Sequence, residues 1–169
     1  MTTSPFLIPV HELINRPGLM KELDLEITIA EPLGEAAASV VTGSIIDLSV
    51  RLESVHEGIL ATGEVDADAE ALCSRCLEPL KLPVEVDFQE LFAYSGLGED
   101  EYLVQDENID LEQVIRDAVV LSLPFQPVCS PDCLGLCSEC GLKMAEDPNH
   151  GHELPIDSRW SELQKLKEE

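Results

Sequence analysis

The stretch Val128 to Met144 reads V-C-S-P-D-C-L-G-L-C-S-E-C-G-L-K-M, and it constrains the chain more than any other. Cys129, Cys133, Cys137 and Cys140 are too closely spaced for a hydrophobic strand and too loop-like for a core helix. Pro131 and Gly135 keep the backbone turning, and Gly141, directly after the last cysteine, supplies the positive-φ freedom of a metal-binding knuckle. So little of this segment is apolar that chemistry, rather than burial, must hold it.

A second C-x2-C, Cys73-Ser-Arg-Cys76, lies upstream, and His150 and His152 lie downstream in Asn149-His-Gly-His152. Zinc takes thiolate sulfur and imidazole nitrogen and closes structural sites at four ligands. Six cysteines and two histidines therefore suffice for two tetrahedral sites. One partition joins Cys73 and Cys76 to Cys129 and Cys133, leaving Cys137, Cys140, His150 and His152 as a second site. The other groups Cys129, Cys133, Cys137 and Cys140 and leaves the upstream pair for other work. The first is favoured because it orphans no ligand pair and ties the strands to the C-terminal segment; a single bound ion is the lesser alternative.

The 169 residues carry 34 acidic against 10 basic side chains, a net charge of −24. Such a polyanion repels phosphate backbones at long range and attracts basic proteins. Only 4% of residues are aromatic, so the core should be built mostly from Val, Leu, Ile and Ala. The N-terminus lacks a basic leader followed by a long apolar run, and no stretch approaches the ~20 apolar residues of a membrane span, which leads us to expect a cytoplasmic protein. In a reducing compartment, clustered cysteines read as metal or redox sites rather than disulfides.

Period-two alternation predicts strands over 22–29, 44–55, 59–72 and 80–92. In the third, Glu64, Asp66, Asp68 and Glu70 share one face and Val65, Ala67, Ala69 and Ala71 the other, which makes the acidic row either a solvated face or a dock for a basic partner. Cys73 and Cys76 interrupt two strand patterns and so belong at a hairpin tip; Pro79 and Pro83 mark the returning strand as an edge or as one that begins irregularly. The clearest helix starts at Asp110, with Gln113 completing a capping box and Leu111, Val114, Ile115, Ala118, Val119 and Ser122 facing inward, until Pro124 stops it. Residues 11–15 suggest one or two helical turns, 31–38 a connection, 95–100 an acidic loop, and 157–167, with Trp160, Leu163 and Leu166, a final helix or tail. The expected fold is α+β: an antiparallel sheet or partly open barrel with one main helix over 1–127, and a Cys-rich zinc-knuckle segment over 128–169 packed on it.

Other chemistries fit less well. A redox dithiol wants its first cysteine at a helix N-terminus, and the cysteine spacings match no common iron–sulfur run. His11 and His56 read as surface or satisfied core residues. Arg75 and Lys81, beside the first knuckle, are either solvated charges or a focused phosphate contact. No nucleophile elbow, P-loop, dinucleotide fingerprint or H-E-x-x-H occurs, so no catalytic residue is assigned and the chain is expected not to be an enzyme.

The run C-S-R-C-L-E-P at 73–79, the Leu123-Pro124 helix end, the cysteine run at 128–141 and the tail Asp147-Pro-Asn-His-Gly-His152 together resemble the bacterial YceD family, its actinobacterial form in particular. The resemblance runs from about residue 20 to residue 160. It implies a role in accumulation of 23S ribosomal RNA and in large-subunit assembly, and the family's genes commonly adjoin that of a small, basic zinc-ribbon ribosomal protein. With the charge, it leads us to expect a non-enzymatic factor whose partner is a basic large-subunit ribosomal protein or a pre-ribosomal particle, direct RNA contact remaining open. The alternatives are a zinc-dependent RNA-processing enzyme and an acidic RNA mimic that regulates a basic nucleic-acid-binding protein.

Overall fold

The computed structural model describes residues 4–35, 37–96 and 102–152. The expected C-terminal helix or tail over 157–167 and most of the 95–100 loop lie outside them. A mostly antiparallel sheet curls into a half-barrel around one helix, as the alternation predicts. Its spine is a long hairpin, β6 (Gly58–Leu72) against β7 (Pro79–Ala93), paired from Gly58↔Ala93 to Leu72↔Pro79. The other edge of β6 is shared by β5 (Ile45–Ser54) over its first half and by β4 (Ala38–Val40) near its end. β2 (Met20–Thr28) pairs with β5, and β3 (Leu33–Glu35) with β4.

Strand alternation settles what is buried. Ile46, Leu48, Val50 and Leu52 of β5 point inward, as do Val65 and Ala69 of β6 and Val84 and Phe88 of β7. The helix α1 (Glu112–Ser122) packs against β7 and β3, so Leu111, Val114, Ile115 and Val119 join the same core. Beside it, β1 (Leu7–Pro9) pairs with β8 (Asn108–Asp110) and contributes Ile8 and Ile109. Phe6, Phe88 and Phe92 are buried too, giving the core more aromatic bulk than the composition suggests.

Several expectations are corrected. The 31–38 connection contains β3 and the start of β4, and both β1 and β8 were missed; three-residue strands are too short for their alternation to show. Residues 11–15 form a hydrogen-bonded turn rather than a helix, with the N–H groups of Leu13 and Ile14 both donating to the Val10 carbonyl. Helix α1 starts later than its capping pattern suggests, with Leu111 at the N-cap. Asp110 ends β8, and its carboxylate accepts from the Glu112 N–H at 3.0 Å, while Gln113 turns to Asp117 instead of back to the cap. The paired β1–β8 ladder fixes Asp110 as extended, and that wins over the local capping box. Ser122 is exposed rather than inward, its hydroxyl donating to the Val119 carbonyl.

Candidate metal centres

The β6–β7 hairpin ends in the turn that carries Cys73 and Cys76. Its local geometry is set by two backbone bonds: the Cys73 N–H donates to the Glu78 carbonyl and the Leu77 N–H to the Cys73 carbonyl, both at 2.8 Å. Leu77 takes a left-handed φ of 60° to close it. The same pattern recurs at Cys137-x2-Cys140, where the Cys137 N–H donates to the Leu142 carbonyl at 2.8 Å and the Gly141 N–H to the Cys137 carbonyl at 2.9 Å. Gly141 there has φ 73°. Two knuckles of one design thus exist, and only the second displays its glycine.

Chain geometry carries Cys129 and Cys133 to the first knuckle. After α1 the backbone extends at Leu123, and the Pro127 carbonyl accepts from the Ser74 N–H at 2.8 Å. The sulfur atoms of Cys73, Cys76, Cys129 and Cys133 then lie within 4.8 Å of one another. Cys73 and Cys133 are 3.9 Å apart and Cys76 and Cys129 3.7 Å. A tetrahedron of zinc–sulfur bonds of about 2.3 Å has edges of about 3.8 Å, which these two distances match. Cys73 is fully buried, and its sulfur accepts from the Cys129 N–H at 3.4 Å.

In the first quartet neighbouring thiols and backbone N–H groups shift the ionisation of the cysteines. The Cys76 N–H above all, with those of Cys129 and Arg75, outweighs burial and lowers the Cys73 pKa to about 6. Hydrogen bonding to the sulfurs of Cys133 and Cys76, together with burial, pushes Cys129 up to about 12; Cys76 is also raised, chiefly by burial. Several thiolates packed this closely cannot all ionise alone, and a divalent ion among them removes the penalty.

The second quartet is Cys137, Cys140, His150 and His152, again within 4.8 Å. The Cys140 sulfur is 3.0 Å from His150 Nε2, which is 2.8 Å from His152 Nε2. A tetrahedral site needs about 3.3 Å between nitrogens, so seating an ion here spreads the two rings by about half an ångström. Backbone N–H groups of Cys140 and Glu139 lower the Cys137 pKa. Both quartets could hold a metal ion, and their ligands group in the first of the two partitions that the sequence allows.

Arg75 has a task that the sequence did not reveal. Its guanidinium Nη1 donates to the carbonyls of Pro131 and Cys133, each at 3.0 Å, clamping the loop that presents two of the first quartet's cysteines. This role is additional to the solvated charge or phosphate contact anticipated for it, since Arg75 is also exposed. Its own carbonyl accepts from the Leu136 N–H at 3.1 Å, and Gly135, at φ 78°, lies so close that a β-carbon would sit 3.1 Å from that carbonyl oxygen. The Lys143–Glu78 ion pair joins the two knuckles, and the Leu136–Lys143 bridge closes the second. Aligning the two C-x2-C motifs would have exposed Leu77 as the equivalent of Gly141. Lys81 is exposed opposite Glu70, and His11 and His56 are both exposed.

Outside the quartets the main chemical feature is the convex face of the sheet. Register aligns its carboxylates in rows: Glu26, Asp47, Asp66 and Glu85 stand side by side across four strands, next to Asp24, Ser49, Glu64 and Asp87. Asp47, Glu64, Asp66, Glu85 and Asp87 in these rows, and Asp68 and Glu70 beyond them, are all exposed. No helix among the described residues is long and apolar enough to cross a membrane.

Comparison with known proteins gives a consistent picture. The family profile described as Large ribosomal RNA subunit accumulation protein YceD matches residues 61–167. An uncharacterized protein of Mycobacterium tuberculosis is 44% identical over 170 residues, covering 96% of this chain and 82% of the relative. One from Mycobacterium leprae is 37% identical over 167 residues, 95% of this chain and 76% of the relative. A short match, 41% over 39 residues, links 23% of this chain to 13% of the Zea mays protein named Large ribosomal RNA subunit accumulation protein YCED homolog 1, chloroplastic. No solved structure matches.

Proposed function

Since the chain belongs to the YceD family, we propose that it supports accumulation of 23S ribosomal RNA as a non-enzymatic assembly factor that docks on a basic protein of the large ribosomal subunit. The observation that carries this reading is the row Glu26–Asp47–Asp66–Glu85, four carboxylates in cross-strand register with no basic residue among them. Like charges opposite one another destabilise a sheet, so a row of four is a standing cost that a cationic partner relieves. With a net charge of −24, the chain is ill suited to hold an RNA backbone along a broad face and well suited to shield a basic protein or to meet one on a precursor particle.

The quartets serve this role as staples. Cys73, Cys76, Cys129 and Cys133 would hold one zinc ion and Cys137, Cys140, His150 and His152 another. Each set fills a tetrahedral shell, leaving no position for a reacting water, which is the pattern of structural zinc. Zinc bound there would fix the knuckles and the chain between them, and the protein would work in the cytoplasm where ribosomal subunits are assembled.

The test is capture of partners by the tagged protein at low and high salt. A basic large-subunit ribosomal protein or a precursor particle should be retained at low salt and released as salt rises. Recovery of free RNA with no ribosomal protein overturns the reading.

A further inference from the structure

Strand β2 ends the sheet, and its outer edge has no partner among the described residues. Which of its backbone groups face outward follows from the ladder. Ile29 donates its N–H to Ser44 and accepts from Gly43, and the Leu19 carbonyl accepts from the Ser54 N–H. Antiparallel pairs alternate, so the odd-numbered residues of β2 bond to β5 and the even-numbered ones, Met20, Glu22, Asp24, Glu26 and Thr28, turn their N–H and C=O groups to the open edge. Their side chains are exposed on the convex face, while Leu23 and Leu25 are only half-buried on the concave one.

An open edge is usually blunted by proline, by lysine or by inward charge. The edge strand β7 has Pro79 and Pro83. β2 has neither proline nor glycine from Met20 to Thr28, and its protection is the carboxylate row Glu22, Asp24, Glu26. The nearest cations do not neutralise that row. Arg51, opposite Glu22, pairs with Glu53, and Lys21 lies on the other face; among the described residues Asp24 accepts only the Ser49 hydroxyl, at 2.7 Å. A second copy pairing antiparallel about Asp24 would set Asp24 against Asp24 and Glu22 against Glu26, which like-charge repulsion opposes.

We propose that the free edge of β2 takes up an extended segment of a basic protein whose lysines or arginines alternate with apolar residues. Its outward N–H and C=O groups bond to Glu22, Asp24 and Glu26, its cations meet their carboxylates, and its apolar side chains cover Leu23 and Leu25. This deepens the proposed function and rests on its reading that the partner is basic.

The experiment is residue-resolved amide hydrogen exchange on the zinc-loaded full chain, with a synthetic peptide alternating lysine and valine as the probe and one alternating glutamate and valine as the control. Exchange at Glu22, Asp24 and Glu26 should slow by about tenfold or more with the lysine peptide, leaving Leu23 and Leu25 unchanged, because their amides are already bonded. The glutamate peptide should do nothing. Asp24→Pro removes one outward donor without touching the β5 ladder and should abolish the effect. If that variant misfolds, the triple change Glu22→Lys, Asp24→Lys, Glu26→Lys decides: it should lose the lysine peptide and gain the glutamate one.

Binding of the lysine peptide with unchanged exchange at the edge overturns the proposal and leaves the basic-partner reading standing. So does absence of binding while a basic ribosomal protein is still captured at low salt. Failure of both removes the two together, and self-association of the chain through β2 overturns the edge proposal by itself.

Discussion

Leu77 and Gly141 occupy equivalent positions in two knuckles with the same hydrogen bonds, at left-handed φ values of 60° and 73°. A β-carbon in this conformation costs about 1–2 kcal/mol, a strain that Leu77 carries and Gly141 avoids. Gly141→Ala should therefore destabilise the zinc-loaded protein by about 1–2 kcal/mol, while Leu77→Gly, which relieves strain but loosens the unfolded chain, should change stability by less than about 1 kcal/mol. Denaturant titration of both variants checks this; a neutral Gly141→Ala would refute the equivalence.

Arg75 acts on the first quartet through the carbonyls of Pro131 and Cys133. Removing such a support typically weakens metal binding by about 10- to 100-fold, and Arg75→Ala should fall in that range. Lysine offers one point charge in place of a planar fork, so Arg75→Lys should recover only part of the loss. Competition with a chromophoric chelator measures both.

Metal content should be two zinc ions in the wild type and one in each of the double variants Cys73→Ser/Cys76→Ser and Cys137→Ser/Cys140→Ser. Stripping the metal should leave the sheet spectrum largely intact, because the core residues Ile46, Leu48, Leu52 and Ile115 owe nothing to the quartets. The segment 128–152 buries only Gly135 and should then become the preferred site of proteolysis. Loss of the whole fold with the metal would contradict this division.

Protons should leave as zinc enters the first quartet. Cys129, raised to about 12, and Cys76, also raised, are protonated at neutral pH in the metal-free form, whereas Cys73, lowered to about 6, is already mostly thiolate. Metal binding needs the raised pair deprotonated, so affinity rises with pH and falls as pH drops, most steeply once Cys73 too takes up its proton near pH 6. Calorimetry in two buffers of different ionisation enthalpy reads the release; identical heats would contradict it.

Repulsion along Glu26–Asp47–Asp66–Glu85 predicts that Asp66→Lys stabilises the fold, by about 0.2–1 kcal/mol at low ionic strength and less at high salt. The same change should weaken capture of a basic partner. Thermal melts at two salt concentrations, alongside the capture assay, separate the two effects.

Alternation along the chain sufficed to place the four long strands and to say which side of each is wet, because a buried face demands apolar residues at every second position. That the cysteines and histidines would gather into clusters able to hold a metal ion was equally legible, since thiols and imidazoles spaced so closely along the chain suit a shared cation. Which four meet was legible as a preference, because the favoured partition leaves no pair orphaned and is the one the structure brings together, but the contacts that join them were not. Cys73 and Cys129 are brought together by the β6–β7 hairpin and the exit from α1, a contact between residues remote in sequence that no local pattern encodes. The same holds for the Arg75 clamp, for the short β1–β8 and β3–β4 pairs, and for the helix start, where the β8 ladder overrides the capping box of Asp110 and Gln113. Each of these depends on what lies across a gap in space, and tertiary packing alone decides that.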